Sequence, residues 1–517
     1  MKKQTASCNE KGKIKSKIKK ETVFIVSVAI SLAVIVLGII FKNSLNNVSS
    51  KVMSFISENF GWLYVLAVFG FCIFLLWIAF SKYGKIKLGD DDSKPEHSNF
   101  AWFSMLFCGG TGIGLVFWSI AEPLSHYANP PAGVEAGTLE AVNFSIRTCF
   151  LHWGITQWVC FAIIGLAIAY FKFRKKKNGQ ISCLLAPLFG DKVTDGVVGK
   201  IIDIFSIVVS VAGVATSLGL GVSQICGGLN YLWDVPNTNI TCLICILVIT
   251  VIFLASAISG VNRGIKFLSN INTWIALLLL ALAFIVGGGI PSLNMMVNGV
   301  GQHVQNFFGD VLMINAFGDN DWIMNWRVFY YAWFVAWVPF VGMFLARISK
   351  GRTIKEFILG AVLAPTIFTI VWLSVFATMA LSITGDWSLD AIRQLVASPE
   401  TAVFIVFEKY PLSKVMSILV IILLGIFFIT SADSATYSLS IMSSNGTANP
   451  PVYKKIIWAI IIAAISYVLL SVGSLKPLQT ISIAASFPFL IIMILTCFSL
   501  VKALKKEKKG FIGKPLY

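Results

Sequence analysis

NFAWFSMLFCGGTGIGLVFWSI, residues 99–120, carries no charged side chain along its whole length. A helix needs roughly 20 apolar residues to cross a hydrocarbon core, and this stretch meets that length. It also holds Gly109, Gly110, Gly112 and Gly114, a density that costs about 1 kcal/mol per glycine relative to alanine in a helix interior. Small residues at every second position do not make one helical face. Two readings follow from this: a bare surface for close helix packing, or a locally unwound segment in mid-membrane whose free backbone groups face a cavity. A dinucleotide-binding reading fails, because neither a preceding strand nor a nucleotide domain accompanies the glycines.

Working outward, similar runs recur near residues 22–42, 62–81, 142–171, 200–224, 240–260, 269–288, 325–347, 356–383, 413–432, 454–473 and 477–502. With 99–120 they make twelve. The 517-residue chain is 57% hydrophobic and 13% charged, against about 25% charged in an ordinary soluble domain. The runs lack the alternation of a membrane barrel, so the expected fold is all-α: a polytopic bundle of twelve transmembrane helices.

The net charge of +17 raises nucleic acid as a partner, but its placement argues against that. Basic residues gather in the N-terminal tail, in the C-terminal tail, and after spans two (Lys82 to Lys87), four (Lys172 to Lys177), six (Arg263, Lys266), eight (Arg347 to Lys355) and ten (Lys454, Lys455). The opposite connections are poor in Lys and Arg, which is the positive-inside signature. It predicts that both termini are cytoplasmic and that the bundle sits in a cell membrane. The partition expected is a basic tail over 1–21, a membrane domain over 22–503 and a short basic tail over 504–517. The first apolar run is too long for a cleaved signal peptide. The connection from Gly289 to Asn325 contains Ile290, Leu293, Met296, Val297 and Val300, a pattern for a helix lying at the interface over an outer vestibule. Cys242 and Cys245 have no partner pair in the sequence, so neither a disulfide framework nor a zinc site is expected.

Aromatic residues cluster at depth: His152-Trp153 and Trp158 in span four, and Phe329-Tyr330-Tyr331-Ala332-Trp333-Phe334 with Trp337 in span eight. Some of these are ordinary packing or interfacial anchors. Several aromatic faces around a cavity can hold a cation that has no hydrogen to donate, each contributing roughly 0.5 to 2 kcal/mol when desolvated. Quaternary ammonium is the guest that suits such a cage, and an uncharged cage leaves a zwitterion's own carboxylate unopposed. Span ten closes on Phe428-Ile429-Thr430-Ser431-Ala432-Asp433-Ser434. These hydroxyls either bond back to the preceding turn or offer hard oxygens to a small cation. Asp433 reads as a helix-end or gating group. Glu122-Pro123 and Arg347 read as interfacial, without chemistry. The four histidines have no ligand spacing and no acid pair stands at catalytic spacing, so an enzyme is not expected.

Thr111-Gly-Ile-Gly-Leu-Val-Phe-Trp-Ser-Ile-Ala-Glu-Pro-Leu124, His152-Trp153, Ala332-Trp333 through Gly342 to Thr353, and Phe427 to Ser434 together resemble the betaine/carnitine/choline transporter family. The resemblance spans runs three to ten. It implies two inverted five-helix repeats, about 99–290 and 325–503, in the LeuT-like arrangement of sodium-coupled amine transporters. It also implies a substrate cage of Trp153, Trp158, Phe161 and Phe334 with Tyr331, Trp333 and Trp337 beside it, lined by Gly110, Gly112 and Gly114. Phe161 and Phe334 stand where the sodium-coupled betaine branch usually has Tyr and Trp. One sodium position falls on carbonyls of Cys108, Thr111 and Phe427 and hydroxyls of Thr430 and Ser431. A second keeps Ser210 and Phe340, while Val214 has lost a hydroxyl.

The function implied is import of glycine betaine by sodium symport, with no organic cofactor and with a homotrimer as the family's common assembly. Choline import coupled to sodium or protons, and sodium-independent carnitine/betaine exchange, are the alternatives. One sodium entering across about 100 mV gains about 2.3 kcal/mol, which is roughly fortyfold accumulation of a neutral zwitterion.

Overall fold

The computed structural model describes residues 2–110, 112–258, 262–447, 449–471 and 476–511. The chain is helical almost throughout. Its elements are α1 (Lys2–Ile40), α2 (Lys42–Phe80), α3 (Asn99–Gly110), α4 (Ile113–Ala128), α5 (Leu139–Trp153), α6 (Ile155–Ala169), the short α7 (Ala186–Phe189) and α8 (Asp191–Thr194), α9 (Val197–Trp233), α10 (Asn239–Ile258), α11 (Asn262–Ala283), α12 (Gly289–Val311), α13 (Phe329–Ile348), α14 (Ile354–Ser382), α15 (Leu389–Ala397), α16 (Pro399–Phe407), α17 (Ser413–Met442), α18 (Val452–Ser471) and α19 (Lys476–Phe511).

Ten of the expected spans fall within apolar helical stretches long enough to cross a bilayer. The other two are accounted for. Span six supplies the shorter apolar stretch Asn239–Ala255, and span three is divided between α3 and α4. The division falls among the glycines, with Gly112 outside both helices, so span three is not one continuous helix. Span four is interrupted as well. Gly154 separates α5 from α6 with φ −97° and ψ −125°, and a Cβ there would lie 2.4 Å from the Phe150 carbonyl oxygen.

Polar contacts tie the even-numbered connections to one face. Lys176 bridges to Asp90 (2.9 Å) and Lys350 to Glu96 (2.6 Å). Arg174 reaches Asp91 and, at 2.5 Å, Glu507 near the end of α19. Lys454 pairs with Glu21 at the start of the first apolar run (2.7 Å). Lys176 holds the Asp90 carboxyl below the usual carboxylate range. Thus the connections after spans two, four, eight and ten share a face with both ends of the membrane domain, as the charge alternation required. The opposite face carries α12, α15 and α16. There Arg147 bridges to Asp310 of α12 (3.1 Å) and Arg393 donates to the Ala128 carbonyl (3.3 Å).

Helix α12 matches the expected amphipathic segment, but the apolar residues Ile290, Val297 and Val304 are exposed. It packs against α5 and α14 through its other side. Span ten runs on past residue 432 to Met442. Asp433 is consequently buried inside α17 and does not mark a helix end.

Candidate substrate and ion sites

Helices α4, α5, α6 and α13 meet at an aromatic cluster. Trp153 ends α5 and its ring lies 5.9 Å from Trp333 and 6.2 Å from Phe334. Phe334 lies 6.3 Å from Phe161, and Phe161 lies 5.7 Å from Trp158. The contacts from Trp153 through Phe334 and Phe161 to Trp158 are edge-to-face, so the ring faces are not all spent on one another. All five residues are buried. Gly114 of α4 closes the cluster, because a Cβ there would sit 2.7 Å from Trp333 Cη2 and 2.8 Å from Trp153 Cη2. Trp333 Nε1 donates to Ser217 Oγ of α9 (3.2 Å). Trp158 Nε1 is buried without a partner among the described residues.

Two of the expected cage residues lie elsewhere. Trp337 donates its Nε1 to the Gly213 carbonyl (2.9 Å) and packs on Phe340 at 5.0 Å. Tyr331 is fully buried, and among the described residues it makes no ring contact with the cluster and its hydroxyl has no partner.

Behind Trp153 is a group that the sequence reading left without a role. Glu122 is buried with no exposed surface, where an interfacial residue was expected. Its Oε2 accepts from Trp153 Nε1 (2.7 Å) and Tyr330 OH (2.5 Å). Its Oε1 accepts from His152 Nδ1 (2.7 Å) and lies 3.3 Å from His126 Nε2. Tyr330 stacks on His152 at 4.3 Å. Two histidines that looked scattered along the chain therefore converge on one carboxylate. Glu122, His126 and Cys149 bring an oxygen, a nitrogen and a sulfur within 4.8 Å of one another. Because the carboxylate oxygens already take three donors with His126 beside them, the group is a hydrogen-bond hub and not an open metal site.

The betaine/carnitine/choline transporter family model matches residues 22–509. The chain belongs to this family. A probable glycine betaine transporter of Desulfitobacterium hafniense (strain Y51) is 44% identical, over 95% of this chain and 98% of its own. The glycine betaine transporter OpuD of Bacillus subtilis (strain 168) is 45% identical, over 94% of this chain and 95% of its own. An ectoine/hydroxyectoine transporter of Virgibacillus pantothenticus is 39% identical, over 94% and 97%. Members of this betaine/carnitine/choline family are transporters, so the chain is a transporter and not an enzyme.

Of the ion positions expected of such a family member, Thr111 lies outside the described residues. Cys108 lies in the last turn of α3, as does Gly110 of the expected cage lining. The rest of the first set is close at hand: a Cβ on Gly112 would lie 3.7 Å from Ser431 Oγ, which joins the break in span three to α17. Thr430 Oγ1 donates to the carbonyls of Ile426 (3.0 Å) and Phe427 (3.2 Å), so its hydroxyl bonds back to its own helix. For the second set, α9 and α13 run antiparallel, with Trp333 at Ser217 and Trp337 at Gly213. That register carries Phe340 to the level of Ser210. Ser210 Oγ, however, donates to Ser206 O (2.9 Å), and Val214 is buried. The cysteine expectation needs one correction of detail. Cys242 and Cys245 do have a neighbour, Cys226, at 3.3 and 3.9 Å between sulfurs, and all three are free thiols.

Proposed function

We propose that this protein imports a quaternary-ammonium osmolyte, glycine betaine foremost, by sodium symport through a bacterial cell membrane. The observation that carries the reading is the buried run of rings Trp153, Phe334, Phe161 and Trp158 with Trp333, closed by Gly114. Such a surface suits a methylated ammonium, which offers charge and apolar methyls but no donor. The unpartnered Trp158 Nε1 supplies a donor for a carboxylate, favouring a zwitterion over choline. Of the relatives named above, one is a glycine betaine transporter and one a probable glycine betaine transporter.

Sodium binds in this reading where Gly112 approaches Ser431, with the Phe427 carbonyl and the Thr430 hydroxyl completing the set with Cys108 and Thr111. Each half of the membrane domain, about 99–290 and 325–503, forms one inverted repeat. In support, the first half opens on the interrupted pair α3 and α4, and the second on a π-helical turn, Ile323–Val328, leading into α13. The face carrying the basic connections is the cytoplasmic one, with both termini on it. A homotrimer is the assembly proposed.

A second reading has its own observation. The back-bonded Thr430 and Ser210 hydroxyls and Val214 suit a sodium-independent exchanger of carnitine and betaine. Labelled betaine uptake into proteoliposomes with and without an inward sodium gradient separates the two. Uphill uptake that needs sodium supports symport. Uptake that ignores sodium but rises with preloaded carnitine refutes it, and competition by choline tests the remaining alternative.

A further inference from the structure

A carboxylate is the one side chain that satisfies the pocket occupied by Glu122. Trp153 and Tyr330 both donate to Oε2, and His152 donates to Oε1 with His126 beside it. An amide there would turn one NH2 group toward donors and leave it, or them, unsatisfied in a buried site. The carboxylate does not face the cluster of rings. It holds the pyrrole edge of Trp153, while the far edge of the same indole, at Cη2, faces Gly114, and the ring abuts Trp333 and Phe334.

We propose that Glu122 is a specificity-determining positioning residue: its buried negative charge, acting through and around Trp153, biases the cage toward ligands of net positive charge. The inference rests on the aromatic-cage reading above and adds to it. Two effects act in the same direction. The charge-assisted hydrogen bond fixes the indole and pushes electron density toward its face, which strengthens attraction for an ammonium. The field of the carboxylate also reaches the cage through a medium of low effective dielectric. Of the other charges nearby, only the buried Arg327 offsets part of this field. Asp310 is paired with Arg147 (3.1 Å). Arg327 lies over Trp322 at 5.7 Å, and Trp322 lies 5.1 Å from His126, so this cation is on the histidine side of the carboxylate and not on the indole side.

The consequence differs between ligands. A cation such as choline or tetramethylammonium feels only attraction. A zwitterion gains at its ammonium and loses at its own carboxylate, so removing the charge affects it less. A purely structural role for Glu122 would weaken all three ligands together.

The test uses the full-length protein in proteoliposomes at fixed pH, with labelled betaine uptake and inhibition by unlabelled choline and tetramethylammonium. Expected for Glu122→Gln is a rise of about tenfold or more in both inhibition constants, equivalent to about 1.4 kcal/mol, while the betaine KM rises by less than about threefold. Glu122→Asp keeps the charge but shortens the reach. Its absolute constants should weaken while the choline-to-betaine ratio stays within about twofold of the parent. Equal shifts of all ligands in Glu122→Gln, or a changed ratio in Glu122→Asp, would overturn the proposal. Should the Gln variant fail to fold, a choline-to-betaine ratio shifted by more than about twofold in Glu122→Asp still overturns the proposal. If the parent protein takes up no betaine and binds neither cation, it is the proposed function that fails, which these ratios make plain.

Discussion

Adding one methyl group at Gly114 should disable the cage without touching any polar group. In Gly114→Ala the new Cβ would stand 2.7 Å from Trp333 Cη2 and 2.8 Å from Trp153 Cη2, closer than carbon atoms pack, and it is pinched between two rigid rings. Neither ring moves freely, because Trp153 is held by Glu122 and Trp333 by Ser217. Overpacking of this kind costs about 1 to 3 kcal/mol. Should either indole retract from the cage, the cation loses a face worth about 0.5 to 2 kcal/mol, or roughly 2- to 30-fold in affinity. The expected result is a betaine KM raised by about tenfold with a lowered Tm, read by uptake into proteoliposomes and by thermal unfolding of the detergent-solubilised protein. Gly425→Ala is the control, since a Cβ there meets nothing within 4 Å. A Gly114→Ala protein with parental Tm and a KM within about twofold of the parent would refute the placement of the cage.

Other perturbations separate the sites. Thr430→Ala and Gly112→Ala, the latter setting a methyl 3.7 Å from Ser431 Oγ, should raise the sodium concentration for half-maximal uptake by about tenfold while betaine affinity at saturating sodium changes little; an unchanged sodium titration would remove Thr430 from the ion site. Ser217→Ala strips the buried Trp333 N–H of its acceptor, at a cost of about 1 to 3 kcal/mol, and should lower Tm and weaken betaine several-fold, whereas Ser217→Thr should restore both. Glu507→Gln weakens the acceptor shared by Arg174, Lys175 and Tyr170. Limited proteolysis should then release the C-terminal end of α19 faster, and an unchanged cleavage rate would show that these contacts do not hold it.

The twelve spans and their shared face were readable because composition and charge act through the solvent: apolar length and the side on which Lys and Arg fall are properties of local sequence. The break in span three was readable too, since glycines at alternating positions make no helical face. Glu122 was not readable, for a specific reason. The apolar run ends at Ile120, so a carboxylate two residues later looks interfacial, whereas α4 continues to Ala128 beneath the covering α15 and α16. A signal was present in the spacing of Glu122 and His126, four residues apart on one helix face. Its meaning depended on His152 and Tyr330, which only tertiary packing brings to the same carboxylate. Tyr331 failed in the opposite way. Next to Tyr330 in sequence, it points to another side of α13, because neighbours in a helix diverge by about 100°.

The two halves of the proposed coupling meet on a single short piece of backbone. Gly112 lies against Ser431, at the ion position, and Gly114 lies against Trp153 and Trp333, at the cage. Two residues span at most about 7 Å of chain, so a shift of the broken segment that helps one site is felt at the other without any relay through side chains. A continuous helix there would fix both glycines rigidly, and an isolated loop would let each move alone. The interruption between α3 and α4 does neither: Gly112 lies just outside α4 and Gly114 in its first turn, so one helix end carries both contacts. If sodium occupancy sets the position of that turn, sodium and substrate must raise each other's affinity by the same factor, because coupling between two sites is reciprocal. Under the proposed symport, betaine affinity should therefore rise with sodium by the same factor as sodium affinity rises with betaine, and betaine binding that is indifferent to sodium would refute the shared turn.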